Sequence, residues 1–187
     1  FSRSTLRNYN KAIGDAEEMT QILALEPSVK DNVHAKPLDL HGGEITFNKV
    51  LFNHDGADHP IFENFTLTIG AGQKVGLVGH SGSGKTTFTR LLLRFSDIEQ
   101  GSITIDGQNI SEVTQNDLRN AIAYVPQEPL LFHRSLRENI AYGNPDATEE
   151  QILEAAKKAH VLEFIEQLPD RFDTLVGERG VKLSGGQ

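Results

Sequence analysis

Apolar and polar positions alternate in two early segments, 44–52 and 61–69, and a loop containing Asp55 and Gly56 separates them. Alternation with a period of two is typical of strands with one buried face. The two segments are therefore predicted to form a β-hairpin. A third alternating segment, 101–107, ends in an Asp-Gly turn and predicts a half-exposed strand.

Two other apolar runs, 74–78 and 121–125, are short and nearly continuous, so each predicts a strand. A helical pattern, 88–93, follows the first run, and Pro126 stops the second. Strands that alternate with helices, together with an antiparallel hairpin, indicate an α/β protein.

The first 43 residues have a different character. Segment 1–26 contains no proline and one glycine, and its apolar residues recur at helical spacing on a narrow face. This spacing predicts a helix, with a disordered tail as the alternative. Segment 27–43 is rich in Asp, Lys, His and Gly, which predicts a linker.

Helical patterns return in the last third of the chain. Segment 135–142 predicts a short helix. Thr148 and Gln151 form a capping box, in which each side chain can satisfy a backbone N–H group of the other residue. A longer amphipathic helix is expected to begin there and to continue as far as Pro169.

A glycine-rich loop between the apolar run 74–78 and the helical pattern 88–93 carries the strongest chemical signal. Two glycines separated by four residues are followed by Lys and Thr, which is the phosphate-loop pattern in its usual strand–loop–helix context. Glycines let backbone N–H groups surround phosphate oxygens, and the helix N-terminus adds a positive dipole end. We expect Lys85 to contact the outer phosphates and the Thr86 hydroxyl to hold Mg²⁺. The predicted nucleotide-binding residues are Gly79, His80, Ser81, Gly82, Ser83, Gly84, Lys85, Thr86 and Thr87.

Composition narrows the function classes. The chain has 187 residues, a net charge of −8 and no cysteine. The negative charge argues against a nucleic-acid-binding surface, because affinity for nucleic acid comes mainly from neutralising phosphates. The absence of cysteine excludes disulfides and thiolate metal sites.

Two polar residues follow predicted strands. Gln127 lies just past the carboxyl end of the strand at 121–125, which is the edge where ligands bind in open α/β sheets. Asp106 ends an alternating strand rather than a buried one, so we do not expect it to be the Mg²⁺-associated aspartate of a phosphate-loop enzyme.

The final residues, Leu183-Ser184-Gly185-Gly186-Gln187, resemble the signature sequence of ATP-binding cassette (ABC) transporters. Gln127, in Tyr124-Val125-Pro126-Gln127, is similar to the glutamine-loop residue of that family. The resemblance covers residues 44–187 well and the first 43 loosely. It implies a P-loop NTPase (ABC ATPase) core with an N-terminal antiparallel β subdomain and a helical subdomain, and with the C-terminal part missing.

The segment 174–180 is similar to the one that precedes the signature in exporters whose membrane and nucleotide-binding domains are fused, such as multidrug and lipid exporters. The resemblance then implies that 1–26 is the cytoplasmic end of the last membrane helix, that 27–43 is a linker and that 44–187 is an incomplete ABC ATP-binding domain. The Walker B strand, the catalytic glutamate and the switch histidine are expected after residue 187.

The same resemblance implies a mechanism. Two domains pair head to tail, as a homodimer or a heterodimer, and each ATP lies between one phosphate loop and the partner's signature. Lys85, Gln127 and Ser184 would be catalytic, and Thr86 and Gln127 would hold Mg²⁺. His54 occupies the position of the aromatic residue that stacks on adenine. The residues that would reach the ATP bound to the opposite subunit are Ser184, Gly185, Gly186 and Gln187.

The function implied by the resemblance is ATP binding and hydrolysis that powers export across a membrane, with the ATPase domain on the cytoplasmic face and in contact with the coupling helices of a transmembrane domain. Two alternatives remain. One is a regulatory nucleotide-binding module with a degenerate site that does not hydrolyse ATP. The other is a soluble ABC-type ATPase that acts on nucleic acid or in translation, against which the acidic charge and the segment 174–180 argue.

Overall fold

The computed structural model describes residues 3–54, 56–127, 130–177 and 183. The chain forms two compact units, Phe1–Ala123 and Tyr124–Gln187. In the first unit the helices and strands are α1 (Arg3–Leu23), β1 (Ile45–Phe52), β2 (Phe62–Ile69), α2 (Lys85–Leu92), β3 (Gln100–Ile105), β4 (Gln108–Asn109) and α3 (Gln115–Asn120). In the second unit they are α4 (Leu136–Ile140), α5 (Glu149–Lys158) and α6 (Leu162–Glu166), with 3₁₀ turns at Ala141–Gly143 and Arg171–Asp173.

The first unit contains an antiparallel sheet in the order β2-β1-β3-β4. The predicted hairpin is confirmed, since β1 pairs with β2 from Ile45 opposite Ile69 to Phe52 opposite Phe62. The predicted third strand is confirmed as β3, which pairs with the other edge of β1 and alternates between buried isoleucines and partly exposed polar residues.

Helix α2 packs on this sheet through aromatic side chains. Phe88 stacks on Phe47 with ring centroids 4.4 Å apart, and Phe65 meets both rings edge-on. Phe47 is fully buried, and Leu91 on the same face of α2 is nearly so. Burying such side chains stabilises a fold by about 1.5–3 kcal/mol each, so this contact fixes α2 and the loop before it on the sheet.

The strands predicted at 74–78 and 121–125 do not form. Both segments lack a hydrogen-bonded ladder among the residues that the structure describes, and Val78 and Val125 remain 94% and 85% exposed. A strand is defined by its pairing with a neighbour, and neither segment has a neighbouring strand within the described ranges. The apolar runs predicted burial, but the partner that would bury them is not in these ranges.

The segment 27–43, predicted to be a linker, is part of the first unit and is hydrogen-bonded to the rest of it. The Asp106 carboxylate accepts backbone N–H bonds of 2.8 to 3.0 Å from four consecutive residues, Gly43, Gly42, His41 and Glu44. These hydrogen bonds favour the charged carboxylate and hold the pKa of Asp106 far below its ordinary range. Asp106 therefore anchors the backbone of residues 41–44 to the turn between β3 and β4.

We expect Asp106→Asn to lower the stability of the first unit at neutral pH, because an amide offers one acceptor oxygen where the carboxylate offers two. Asparagine tolerates the left-handed backbone at this position (φ 47), so the change tests the hydrogen bonds rather than the turn. Because the pKa of Asp106 is lower in the folded state than in the unfolded state, the ionised carboxylate stabilises the fold at pH values above the unfolded-state pKa of about 3.9. This stabilisation is lost as the pH falls from there towards the folded-state pKa.

The measurement is a urea titration of both proteins at pH 7 and at pH 3, with the folded fraction followed by pulse proteolysis. The difference between wild type and Asp106→Asn should be larger at pH 7 than at pH 3. Equal stability of the two proteins at pH 7 would contradict this account of the anchor.

Helix α1 occupies the region that was predicted to be helical. Its apolar side chains Leu6, Ile13, Met19, Ile22 and Leu23 are exposed. No helix within the described ranges is long and apolar enough to cross a membrane.

Within its described residues, the second unit contains three short α-helices around a small apolar cluster formed by Leu136, Ala156, Ile165 and Val176. Thr148 and Gln151 form the predicted capping box of α5, and Ser135 and Glu138 form another one at α4.

The prediction of a single helix from residue 149 to Pro169 is wrong. Helix α5 ends at Lys158, and α6 starts at Leu162. His160 adopts a left-handed conformation (φ 57) between them. A right-handed helix cannot continue through such a residue, so the apolar positions after it belong to a second helix.

Candidate nucleotide-binding site

The glycine-rich loop ends where α2 begins. Gly84 is the N-cap of α2, and its carbonyl accepts the first helical hydrogen bond, 2.8 Å from the Phe88 nitrogen. The first N–H groups of a helix have no partner within the helix. Because Thr87 and Phe88 are buried in the first unit, this end of α2 and its N–H groups have a fixed position.

The backbone conformation and the close neighbours at position 84 favour glycine there. Its backbone is left-handed (φ 88), and a Cβ at this position would lie 3.0 Å from Ile61 Cγ2 and 3.2 Å from the Phe62 ring. The loop therefore sits against the start of β2, and a side chain at its last residue would press on Ile61 and Phe62. Such close approach of backbone to its surroundings is a use that only glycine serves.

The Lys85 side chain folds back over the loop. Its ammonium group donates to the backbone oxygens of Gly79 and His80, each at 2.8 Å, and lies 3.3 Å from Ser83 Oγ. A cation is thereby held at the centre of the glycine-rich loop. Thr86, the next residue, is exposed at the first turn of α2.

His54, which lies just after β1, reaches the same helix. Its Nε2 atom is 3.3 Å from the Thr87 hydroxyl, and its ring meets Phe52 edge-on with centroids 5.1 Å apart. The exposed imidazole thus stands beside the first turn of α2. The structure therefore brings together His54 and the loop residues 79–87, all within the first unit.

The remaining predicted site residues belong to the second unit. Gln127 is exposed in a bend. The signature residues Ser184, Gly185, Gly186 and Gln187 lie outside the described residues, as do 178–182. Leu183 is described, and it packs against the apolar cluster of the second unit.

The segment before the signature is described as far as Gly177 and is bound to the start of α4. The Leu136 nitrogen donates to the Thr174 oxygen at 3.0 Å, and the Val176 nitrogen donates to the Arg134 oxygen at 2.9 Å. Sequence reasoning did not find this pairing, because it joins residues about 40 positions apart that form only an isolated bridge.

The glycine-rich loop lies at the N-terminus of a helix that packs on an antiparallel sheet, as the resemblance to ABC ATPases implied, and comparisons with known proteins agree. Residues 62–187 match the ABC transporter family, so the chain belongs to that family. It is 46% identical, over 95% of its length, to an ATP-dependent lipid A-core flippase of Desulfotalea psychrophila. It is 43% identical, over its whole length, to a mitochondrial iron-sulfur clusters transporter, atm1, of Aspergillus fumigatus.

Among solved structures, the chain is similar to a bacterial Atm1-family ABC exporter with ATP bound, with a TM-score of 0.87 and 41% identity over 97% of this chain. It spans 32% of that exporter, 31% of the flippase and 26% of the Aspergillus transporter. The fold is therefore that of an ABC ATPase, and the chain corresponds to the ATP-binding part of proteins that are between three and four times as long.

Proposed function

We propose that this chain binds and hydrolyses ATP to power export of a substrate across a membrane, as the nucleotide-binding part of an ABC exporter. The observation that carries the proposal is the position of Lys85, whose ammonium group is held over a glycine-rich loop at the N-terminus of a fixed helix. Backbone N–H groups, a helix dipole and one lysine are the groups that bind a polyphosphate.

Each group at this site has a task in the proposed reaction. The Lys85 ammonium would exchange its bonds to the loop oxygens for bonds to the outer phosphates, where it would balance developing charge. The N–H groups of the loop would orient the phosphate chain. The Thr86 hydroxyl is exposed beside Lys85 and would hold Mg²⁺, which would neutralise part of the phosphate charge.

His54 would contact the adenine ring. Its imidazole stands beside the first turn of α2, so a nucleotide with its phosphates in the loop would have its base on this side of the helix. Stacking of a base on a ring contributes about 1–3 kcal/mol, with the smaller value expected for an imidazole.

We expect His54→Ala to weaken ATP binding by roughly fivefold, which corresponds to about 1 kcal/mol. We expect His54→Tyr to strengthen binding, because a phenol ring offers more stacking area. Equilibrium titration with ATP measures both effects, and His59→Ala, in the same loop, is the matched control. Inorganic triphosphate has no base and should bind wild type and His54→Ala equally well. Unchanged ATP affinity in His54→Ala would contradict the proposed contact.

Hydrolysis would require a second nucleotide-binding domain. In the proposed head-to-tail pair, which can be a homodimer or a heterodimer, Ser184 and the backbone of Gly185, Gly186 and Gln187 would contact the γ-phosphate bound to the partner. Short residues and N–H groups suit such close approach. Gln127 would help to hold Mg²⁺ or the attacking water.

The remaining parts would connect the ATPase to the membrane. We propose that 44–187 is the ATP-binding domain, that 27–43 is the linker and that 1–26 is the cytoplasmic end of a membrane helix. The segment 174–177 would support the contact with coupling helices, since its hydrogen bonds to Arg134 and Leu136 hold it against α4. The ATPase would then lie on the cytoplasmic face of the membrane.

A further inference from the structure

A buried arginine stands at the C-terminal end of the helix that follows the phosphate loop. Arg94 is only 4% exposed. A guanidinium group that has left water must be paired and hydrogen-bonded, or it strongly destabilises the fold. The partners of Arg94 therefore show what its charge holds together.

Those partners come from two parts of the first unit. Outside the linker, Arg94 Nε donates to Asp97 Oδ1 at 2.8 Å, and Nη1 lies 3.5 Å from the Ile110 oxygen. In the linker, Nη2 donates to the Lys30 backbone oxygen at 3.0 Å, and Nη1 is 3.6 Å from Asp31 Oδ1. Lys30 and Asp31 belong to the linker, and Lys30 precedes Arg94 by 64 residues in the sequence.

The linker is bound further at the same place. The Asp31 carboxylate accepts from the side chain and the backbone nitrogen of Gln115, at 3.0 and 3.1 Å, and the side-chain bond is the main cause of its lowered pKa. Lys36 forms a bridge with Val113. Asp31 thus joins Arg94 and α3, whereas Asp97 binds the same guanidinium from outside the linker.

Helix α2 has eight residues, so it is about 12 Å long. It begins at Lys85 in the proposed nucleotide site and ends next to Arg94. Lys30 in turn follows Leu23, the last residue of α1, by seven positions. One short helix therefore joins the phosphate loop at its N-terminal end to the Arg94 contacts at its C-terminal end. The Arg94 contacts in turn reach the segment that leads directly to α1.

We propose that Arg94 is a positioning residue that couples nucleotide binding at the phosphate loop to the linker, and through the linker to the end of α1. The inference rests on the proposed function, because it takes ATP as the ligand of the loop. A ligand stabilises the elements that must open together to release it. Through Arg94, residues 30–36 open together with α2, so ATP stabilises them although they do not touch it. This route lies entirely within the first unit and does not involve Gln127.

Hydrogen exchange of the full-length protein, with and without Mg-ATP, tests the coupling. In wild type, ATP at 100 times its Kd should slow exchange in the phosphate loop. It should also slow exchange in 27–36, by between about threefold and 100-fold. The upper value applies if 27–36 and the phosphate loop open only together. Asp31→Ala and Asp97→Ala each remove one carboxylate from the same guanidinium, and Asp31→Ala also removes the two hydrogen bonds from Gln115. The Asp31 side chain is 40% exposed and that of Asp97 47%, so both variants should fold.

We expect Asp97→Ala to retain the ATP-dependent slowing in 27–36 and Asp31→Ala to lose it, while both retain the slowing in the phosphate loop. Arg94→Lys keeps the charge but lacks the planar, five-donor fork of the guanidinium, so it should behave as Asp31→Ala does. A general loss of stability would instead raise exchange throughout the first unit, with and without ATP.

Equal slowing of 27–36 in wild type and in Asp31→Ala would overturn the coupling. So would slowing in the wild type that is confined to the phosphate loop. If ATP slows exchange nowhere in the wild type, the proposed nucleotide site itself is wrong, and the coupling is wrong with it.

Discussion

Replacing Lys85 by alanine is expected to lower ATP turnover by at least about 100-fold, which is the usual effect of removing one group that stabilises charge in a transition state. The lysine is held over the loop by three polar contacts, so its charge is already in place when the phosphates arrive. Alanine leaves the helix intact, because it is the best helix former at such a position.

The measurement is the steady-state release of phosphate from Mg-ATP by the full-length protein in lipid, with ATP affinity measured in parallel. Lys74→Ala is the control, since Lys74 is an exposed lysine in the segment before the loop. If Lys85→Ala retained more than half of the wild-type rate, Lys85 would have no part in the chemistry.

The second large effect is expected at Gly101, at the start of β3. Its backbone is left-handed (φ 88), and a Cβ there would lie 2.5 Å from the Lys49 oxygen and closer still to that of Asn48. Both atoms belong to the backbone of β1, at the point where the pairing of β1 with β3 changes register. No rotamer change can relieve that overlap, so the strands would have to separate.

We expect Gly101→Ala to destabilise the fold by about 3–5 kcal/mol, because overpacking and backbone strain would act together. Gly107→Ala is the matched control. Gly107 is also left-handed (φ 76), but a Cβ there meets nothing within 4 Å, so only the strain of about 1–2 kcal/mol applies. Urea titrations of wild type, Gly101→Ala and Gly107→Ala give the loss in free energy of unfolding for each variant. Equal losses in the two variants would contradict the steric explanation.

Local chemistry explains what the sequence predicted correctly. The hairpin of β1 and β2 follows from alternating side chains, and the capping box at Thr148 follows from the reach of two side chains across one turn. The start of α2 after the glycine-rich loop is equally local, because the glycines and the helix are consecutive. In each case, neighbours in the sequence are also neighbours in the structure.

The features that the sequence did not predict depend on distant residues. The sequence pattern of 27–43 does not show that the Asp106 carboxylate binds the backbone of this segment. Nor does it show that the buried Arg94 guanidinium donates to the Lys30 backbone oxygen. The apolar run 74–78 specifies burial but not a ladder, which needs a partner strand. The left-handed His160 that separates α5 from α6 has no counterpart in the hydrophobic pattern.

The chain belongs to the ABC transporter family, and the Lys85 ammonium is held at the centre of its glycine-rich loop. The most direct test of the central claim is therefore the rate of phosphate release from ATP by the wild-type full-length protein in lipid, measured with and without Mg²⁺. Our account predicts saturable turnover that requires Mg²⁺. Saturable ATP binding without phosphate release would contradict it and would instead indicate a regulatory nucleotide-binding module.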